Sequence, residues 1–122
     1  MKKKKIKILE LYKKQKFYEV MKIGLDLVKN YPNDHQLIYI LGLTSINIKN
    51  FIEAEKYFER LISVKKSYEL YYIFGNIQKK LKKYKNAVTS FENALKLNPK
   101  FSEAYNSLGN VKKSLNFRDE AE

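Results

Sequence analysis

The chain has 122 residues, 44% of them hydrophobic, which is enough for one packed domain and too short for two ordinary ones. The absence of cysteine excludes disulfide frameworks, cysteine-ligated metals and thiol catalysis. The net charge is +12, and the positive residues are lysines apart from Arg60 and Arg118. Lysine is a poorer bidentate phosphate ligand than arginine, and AT-rich coding DNA raises lysine without any partner. We therefore interpret most of the charge as solvated surface.

The first ten residues combine a lysine run with apolar side chains, which is how an export signal begins. Lys7, Glu10, Lys13 and Lys14 interrupt the apolar stretch that such a signal requires, and no small-residue cleavage site follows. The pattern predicts a basic first helix instead. Since no apolar run approaches the length of a membrane span, we expect a cytoplasmic protein.

The sequence repeats itself with a period of 33 or 34 residues. Three of the four glycines follow this period, as do an aromatic column and a column of small residues. In chain order the columns are Gly42, Gly75 and Gly109; Phe17, Phe51, Tyr84 and Phe117; and Val20, Ala54, Ala87 and Ala121. So many positions repeating at one interval indicate an array of one structural unit.

Within one period, apolar side chains recur at the spacing of two helices. In the third copy, residues 69–81 predict a first helix, a short lysine turn follows, and residues 84–95 predict a second helix that ends before Pro99. Gly75 lies in the middle of the first helix, where glycine costs about 1 kcal/mol relative to alanine. We therefore predict that a neighbouring helix approaches Gly75 and its equivalents too closely to admit a side chain. Gly24 departs from the pattern, because later copies have phenylalanine in its place.

These columns resemble the tetratricopeptide-repeat family, whose motif combines a Leu-Gly pair, aromatic and alanine positions on the second helix, and a proline near the end. The third copy matches best, with Gly75, Ala87 and Pro99 in place. The resemblance implies an all-α fold, a right-handed α-solenoid of antiparallel helix hairpins with about three and a half repeats. Residues 1–122 would form a single domain. Its repeats would be residues 1–34 (degenerate), 35–67, 68–101 and 102–122 (incomplete).

The resemblance also implies a concave binding groove lined by the first helices of the hairpins. The predicted contacts with a protein or peptide partner lie beside the core stripe and are Tyr39, Leu43, Ile46, Tyr72, Asn76, Lys79, Asn106 and Asn110. Asparagines on successive helices can pair with a peptide backbone through both amide groups. An exposed apolar patch of Tyr39, Leu43 and Ile46 would need a partner. The alternative is that these are ordinary solvated helix faces.

Some members of the family hold a C-terminal carboxylate with a clamp of lysine, arginine and asparagine. Of the corresponding places in this chain, only Asn76 has a fitting side chain. We therefore expect no such clamp and no binding of chaperone tails through it.

The densest basic cluster surrounds the predicted turn of the third hairpin, and its members are Lys79, Lys80, Lys82, Lys83 and Lys85. Such a cluster can bind phosphate groups or an acidic segment of a partner. The competing interpretation is a lysine-rich turn that is favourable at the C-terminus of the helix before it.

Residues with catalytic or metal-binding chemistry are sparse. His35 is the one histidine, and Asp34 beside it is predicted to cap a helix N-terminus. No phosphate-binding glycine loop, nucleophile motif or metal-ligand pattern occurs. We therefore expect no enzyme activity, no metal and no cofactor within these residues.

The leading functional hypothesis is a scaffold for protein–protein interaction. One alternative is an N-terminal targeting module of a larger enzyme, of the glycosyl- or sulfo-transferase type, because the fourth hairpin stops early at Glu122. Another is a basic solenoid that binds nucleic acid, which the scarcity of arginine makes the weaker one. The uncapped C-terminal end, with Leu108 and Leu115 partly uncovered, also predicts self-association that the net charge opposes.

Overall fold

The computed structural model describes the backbone of residues 1–121 and the side chains of residues 1–116. Over this range the backbone forms seven α-helices and no strand, so the predicted all-α class is confirmed. In chain order the helices are α1 (Lys2–Lys13), α2 (Phe17–Asn30), α3 (His35–Asn47), α4 (Phe51–Val64), α5 (Tyr68–Lys80), α6 (Tyr84–Leu97) and α7 (Ser102–Ala121). None of the helices described is both long and apolar enough to cross a membrane.

Short turns at residues 14–16, 48–50 and 81–83 join α1 to α2, α3 to α4 and α5 to α6. The two helices predicted for the third copy are confirmed as α5 and α6. The chain divides into two compact units, Met1–Leu61 and Ile62–Glu122, which we call the first unit and the second unit. The assignment of the whole chain to one domain, with the repeat boundaries given above, stays a prediction.

In the first unit, α2 packs against both α1 and α3. Apolar side chains from successive helices are buried together, among them Val20, Leu41 and Phe58 at 0% exposure. A Cβ at Gly42 would lie 2.7 Å from the Phe58 ring, and one at Gly24 would collide with Leu41. Gly24 therefore has a packing reason that the sequence pattern concealed, because its lack of a side chain lets α3 approach α2.

In the second unit, α6 contacts both α5 and α7, and α5 also contacts α7. Ala87, Phe91 and Val111, each at 0% exposure, form a buried cluster in this unit. A Cβ at Gly75 would lie 2.7 Å from the Phe91 ring, so the predicted close approach is confirmed there, with the second helix of the same hairpin as the neighbour. At Gly109 the same prediction is wrong for the described residues, since none of their atoms lies within 4 Å of such a Cβ. In the two close pairs the phenylalanine follows its glycine by sixteen positions, and the equivalent position for Gly109 lies past the last residue of the sequence.

All three hairpin turns have the same backbone geometry. Gln15, Lys49 and Lys82 have positive φ angles of 60°, 64° and 61°. The residue after each of them donates its N–H to the carbonyl five positions earlier, and these pairs are Lys16 to Leu11 at 2.9 Å, Asn50 to Ser45 at 2.8 Å, and Lys83 to Gln78 at 2.8 Å. This combination is the Schellman motif, which satisfies carbonyls left without partners at the end of a helix.

Helix α7 differs from the first helices of the other hairpins because it continues without a turn. The repeat register predicts a turn after Leu115, but the helix runs on to Ala121.

Candidate binding surfaces

The polar face of α5 and α7 carries five of the eight predicted groove residues. Because short turns join α5, α6 and α7, and α6 contacts both neighbours, α5 and α7 run in the same direction beside each other. Both helices carry a glutamate, then an asparagine and then a lysine at equivalent positions. The pairs are Glu69 and Glu103, Asn76 and Asn110, and Lys79 and Lys113.

The amide groups on this face are accessible to solvent. Asn106 and Asn110 on α7 are exposed, and Asn76 and Lys79 on α5 are half-buried. An asparagine side chain presents a donor and an acceptor together, so it matches one peptide unit of a bound backbone. Amide groups of Asn76 on α5 and of Asn106 and Asn110 on α7 are thus accessible on two neighbouring helices of the second unit.

Tyr72 is half-buried and takes part in the packing of the second unit. The centre of its ring lies 4.9 Å from that of Phe101 and 5.9 Å from that of Phe91. The Tyr68 ring also contacts Phe101, at 5.2 Å. Truncation of Tyr72 to alanine would therefore remove packing together with any ligand contact, whereas phenylalanine would remove the hydroxyl alone.

The α3 residues predicted for the groove lie in the first unit. Tyr39 is 37% exposed, and its ring meets the edge of the Phe58 ring with 5.8 Å between the ring centres. Leu43 and Ile46 are half-buried. The apolar patch expected from these three side chains is therefore smaller than the sequence suggests.

Helix α1 contributes side chains to the first unit that the sequence analysis did not single out. Asn47, at the end of α3, donates from Nδ2 to the Tyr12 hydroxyl at 3.2 Å and to the Leu43 carbonyl at 2.9 Å. Lys5 forms an ion pair with Asp34, with 2.6 Å between Nζ and Oδ2. Lys5 and Tyr12 lie one repeat period before Tyr39 and Ile46, which are predicted groove residues of α3. The sequence analysis did not single them out because the first copy matches the repeat weakly.

Asp34 caps α3 as predicted, because its Oδ1 accepts a hydrogen bond from the N–H of Leu37 at 3.0 Å. Burial raises the pKa of this carboxyl. The hydrogen bonds from Lys5 and Leu37 and the positive charges of Lys5 and His35 outweigh burial, so the pKa lies below its ordinary value. The Asp34 carboxylate is thus engaged in holding α1 and the start of α3 together.

The predicted basic cluster surrounds the α5–α6 turn in the second unit. Lys79 and Lys80 lie in the last turn of α5, and Lys83 is the N-cap residue of α6. Its exposed members are Lys80, Lys82, Lys83 and Lys85. The first turn of α6 contains no acidic residue.

An open cavity of about 550 Å³ lies between α1 and α2 in the first unit, and the sequence did not predict it. Ile23 and five charged side chains line it, and the charged ones are Lys4, Lys7, Lys22, Glu19 and Asp26. Within the described residues, no group of three or more histidine or acidic side chains is arranged to hold a metal ion.

Two family models match the chain. The model of the TPR repeat matches residues 75–116, and that of the tetratricopeptide repeat matches residues 35–68, so together they cover more than half of the chain. A curated relative, the TPR repeat-containing protein MJ1428 of Methanocaldococcus jannaschii, is 41% identical over 73 residues. The match takes in 60% of this chain and 13% of the relative, so the chain spans a small part of that protein's length.

Solved structures share the fold. MamA superposes with a TM-score of 0.82 and 25% identity, over 92% of this chain and 66% of its own. The first TPR domain of Spaghetti (RPAP3), solved with an HSP90 peptide, gives 0.80 and 23% over 92% of this chain and 90% of its own. The TPR domain of Arabidopsis OM64 gives 0.79 and 19%, over 92% and 93%. The likeness confirms the helical-repeat solenoid class, and with the two family models it shows that the chain belongs to the tetratricopeptide-repeat family.

Proposed function

We propose that the chain is a protein-interaction scaffold and that the α5–α7 face of the second unit binds an extended segment of a partner protein. The observation that carries the proposal is the matching polar series on two adjacent parallel helices, with Asn76 and Asn110 at equivalent positions. Asn110 is exposed and Asn76 is half-buried, and neither belongs to the buried cluster of Ala87, Phe91 and Val111. The RPAP3 domain, which has a similar fold, was solved with a bound peptide, and this supports a peptide as the class of ligand.

In this proposal the partner segment lies across the two helices with its backbone against the asparagines. Each asparagine side chain donates to a carbonyl and accepts from an N–H of the same peptide unit. Acidic side chains of the segment then lie near Lys79 and Lys113, at one end of the face. Basic side chains of the segment lie near Glu69 and Glu103, at the other end. Because only Asn76 matches the carboxylate clamp of some family members, the segment is held along its length and not by its C-terminal carboxylate.

The α3 surface of the first unit is proposed as a separate contact for apolar side chains of the partner. Tyr39 offers a partly exposed ring that packs against Phe58, and Leu43 and Ile46 on the same helix are half-buried. Tyrosine in such a position provides contact area at a low cost in side-chain entropy. Tyr39→Phe and Tyr72→Phe test the hydroxyls without removing the ring packing.

Selection from a random peptide library displayed on phage supplies a ligand for the test. The affinity of an enriched peptide is then measured by calorimetry for the parent chain and for Asn76→Ala/Asn110→Ala. Each lost side chain removes up to two hydrogen bonds worth about 1 kcal/mol apiece, so we expect at least about a tenfold loss of affinity.

The matched control is Asn30→Ala/Asn86→Ala, which removes two exposed asparagines from the second helices α2 and α6. This variant should bind the peptide within about twofold of the parent, since neither residue is on a first helix. Failure to enrich any peptide, or an equal loss of affinity in the two double variants, would count against the α5–α7 face.

A further inference from the structure

One end of the second unit collects lysines from two helices and the turn between α5 and α6. The parallel course of α5 and α7 brings Lys112 and Lys113, both exposed, to the end of the unit at which α5 stops and α6 begins. We call this surface the lysine edge, and it consists of Lys79, Lys80, Lys82, Lys83, Lys85, Lys112 and Lys113.

Carboxylates are few among the described side chains of the second unit. Among residues 62–116 the acidic residues are Glu69, Glu92 and Glu103. Glu69 and Glu103 lie in the first turns of α5 and α7, at the opposite end of those helices. Glu92 follows Lys85 by seven residues of helix, which is a distance of about 10 Å along α6. Among the side chains that the structure describes, the positive potential of the edge is therefore weakly compensated. Asp119, Glu120 and Glu122 also belong to this unit, but their side chains lie outside the described residues.

Helix stability explains part of the lysine edge but not all of it. Lys79 and Lys80 complement the negative end of the α5 dipole. Lys83 and Lys85 stand at the positive end of the α6 dipole, where a cation is unfavourable. The equivalent first turns of α2 and α4 carry Glu19 and Glu53, whereas α6 has an asparagine there. The fold thus bears an electrostatic cost at this end, and an anionic partner would relieve it.

We propose that the lysine edge binds an acidic, unstructured segment of a partner protein, rich in aspartate and glutamate. Lysine ammonium groups are mobile point charges, which suit dispersed carboxylates better than the fixed geometry of a phosphate backbone. The edge contains no arginine, and its aromatic residue, Tyr84, is half-buried and packs against the core of Ala87, Phe91 and Val111. The described residues of the edge therefore offer no exposed ring on which a base could stack, which disfavours nucleic acid as the partner. This surface is distinct from the amide pairs proposed above, although Lys79 and Lys113 border both.

The test measures binding of a fluorescent decaglutamate peptide and of an oligothymidylate with the same number of charges, at moderate salt. The edge variant is Lys80→Gln/Lys82→Gln/Lys85→Gln/Lys112→Gln. The control is Lys65→Gln/Lys66→Gln/Lys96→Gln/Lys100→Gln, which removes the same charge from exposed positions elsewhere in the second unit. Far-UV circular dichroism of both variants verifies that the helices are retained.

We expect the edge variant to lose about tenfold or more in affinity for the peptide, because each exposed ion pair contributes a small part of the binding free energy and four such pairs are removed together. The control should lose less than about threefold, because its lysines lie outside the lysine edge. Amide NMR shifts caused by the peptide should concentrate at residues 79–85 and 112–113. Equal losses in the two variants would overturn the proposal, because they would reduce the effect to net charge. Tighter binding of the oligothymidylate than of the peptide, lost in the edge variant, would also overturn it and identify the edge as a nucleic-acid surface.

Discussion

Individual polar residues inside the hairpins show how each repeat solves the same packing problem differently. In the α5–α6 hairpin, Gln78 and Ser90 are each 4% exposed, and the Ser90 hydroxyl donates to the Gln78 Oε1 at 2.6 Å. The register places Ser45 and Tyr57 at the equivalent positions of the α3–α4 hairpin. The α5–α6 hairpin thus pairs a long side chain on its first helix, Gln78, with a short one on its second helix, Ser90. The α3–α4 hairpin reverses the sizes, because Ser45 is short and Tyr57 is long. Single substitutions taken from one repeat into another should therefore disturb packing unless both positions change.

Removal of the Ser90 hydroxyl should destabilise the chain more than its size suggests. Ser90→Ala leaves the Gln78 oxygen buried without a donor, and we expect a loss of about 1–3 kcal/mol in the free energy of unfolding. Urea denaturation monitored by circular dichroism measures it. Thr89→Ala, at an exposed neighbour on the same helix, should change stability by less than about 0.5 kcal/mol. Gln78→Leu/Ser90→Ala should recover most of the loss, and an unrecovered loss would contradict the hydrogen-bond explanation.

The three residues at positive φ offer a route to higher stability. A side chain at φ 64°, as at Lys49, costs about 1–2 kcal/mol, and glycine avoids that cost at the expense of chain entropy. We expect Lys49→Gly to raise the free energy of unfolding by about 0.5–1 kcal/mol. Lys49→Ala serves as the control, since alanine retains the Cβ and should leave stability nearly unchanged. A gain in the alanine variant equal to that of glycine would show that the lysine charge, and not backbone strain, is responsible.

At the scale of the helix, two glycines of the same column should respond in opposite ways to alanine. Gly75→Ala would place a Cβ 2.7 Å from the buried Phe91 ring, and we expect it to destabilise the chain by about 1–3 kcal/mol. Gly109→Ala meets no described atom within 4 Å, so its higher helix propensity should stabilise α7 by up to about 1 kcal/mol. Thermal unfolding of the two variants distinguishes them. Destabilisation by both would mean that the Gly109 face is covered in solution.

The ion pair between Lys5 of α1 and Asp34 at the start of α3 should make the free energy of unfolding depend on pH in the acidic range. The folded-state pKa of Asp34 is below its ordinary value, so the unfolded state binds the proton more readily. The stabilisation is therefore fully present above about pH 4 and is lost as the pH falls through the lower folded pKa. In Asp34→Asn the cap is kept but the charge is absent, so this part of the pH dependence should disappear. Urea midpoints between pH 2 and pH 6 measure it, and an unchanged profile in Asp34→Asn would contradict the assignment.

At the scale of the molecule, the period of the sequence was sufficient to predict the hairpins, because each helix pairs mainly with its neighbours in the chain. It could not predict that the Tyr72 ring packs against Phe91 and Phe101, since that contact joins residues at different offsets within the period. The period also led to a wrong expectation at Gly109. A glycine that recurs at the same place in each repeat implies that a close neighbour recurs too, but no described atom lies within 4 Å of a Cβ there. The weak first copy hid the ion pair between Lys5 and Asp34.

Three whole-molecule hypotheses from the sequence stay predictions. These are self-association through the C-terminal end, a role as the N-terminal targeting module of a larger enzyme, and the absence of catalytic activity. Sedimentation at high protein concentration and high salt tests the first, because salt screens the repulsion that the net charge of +12 creates. A single monomeric species under those conditions would contradict it.

Synthesis on the ribosome exposes the two compact units one after the other. At about 5–20 residues per second, Met1–Leu61 is complete several seconds before the last residues of Ile62–Glu122 are added. Helices that pair with their nearest neighbours in the chain fold within about microseconds to milliseconds, because no long loop has to close. The first unit is therefore expected to reach its packed state during translation, before the second unit has been completed.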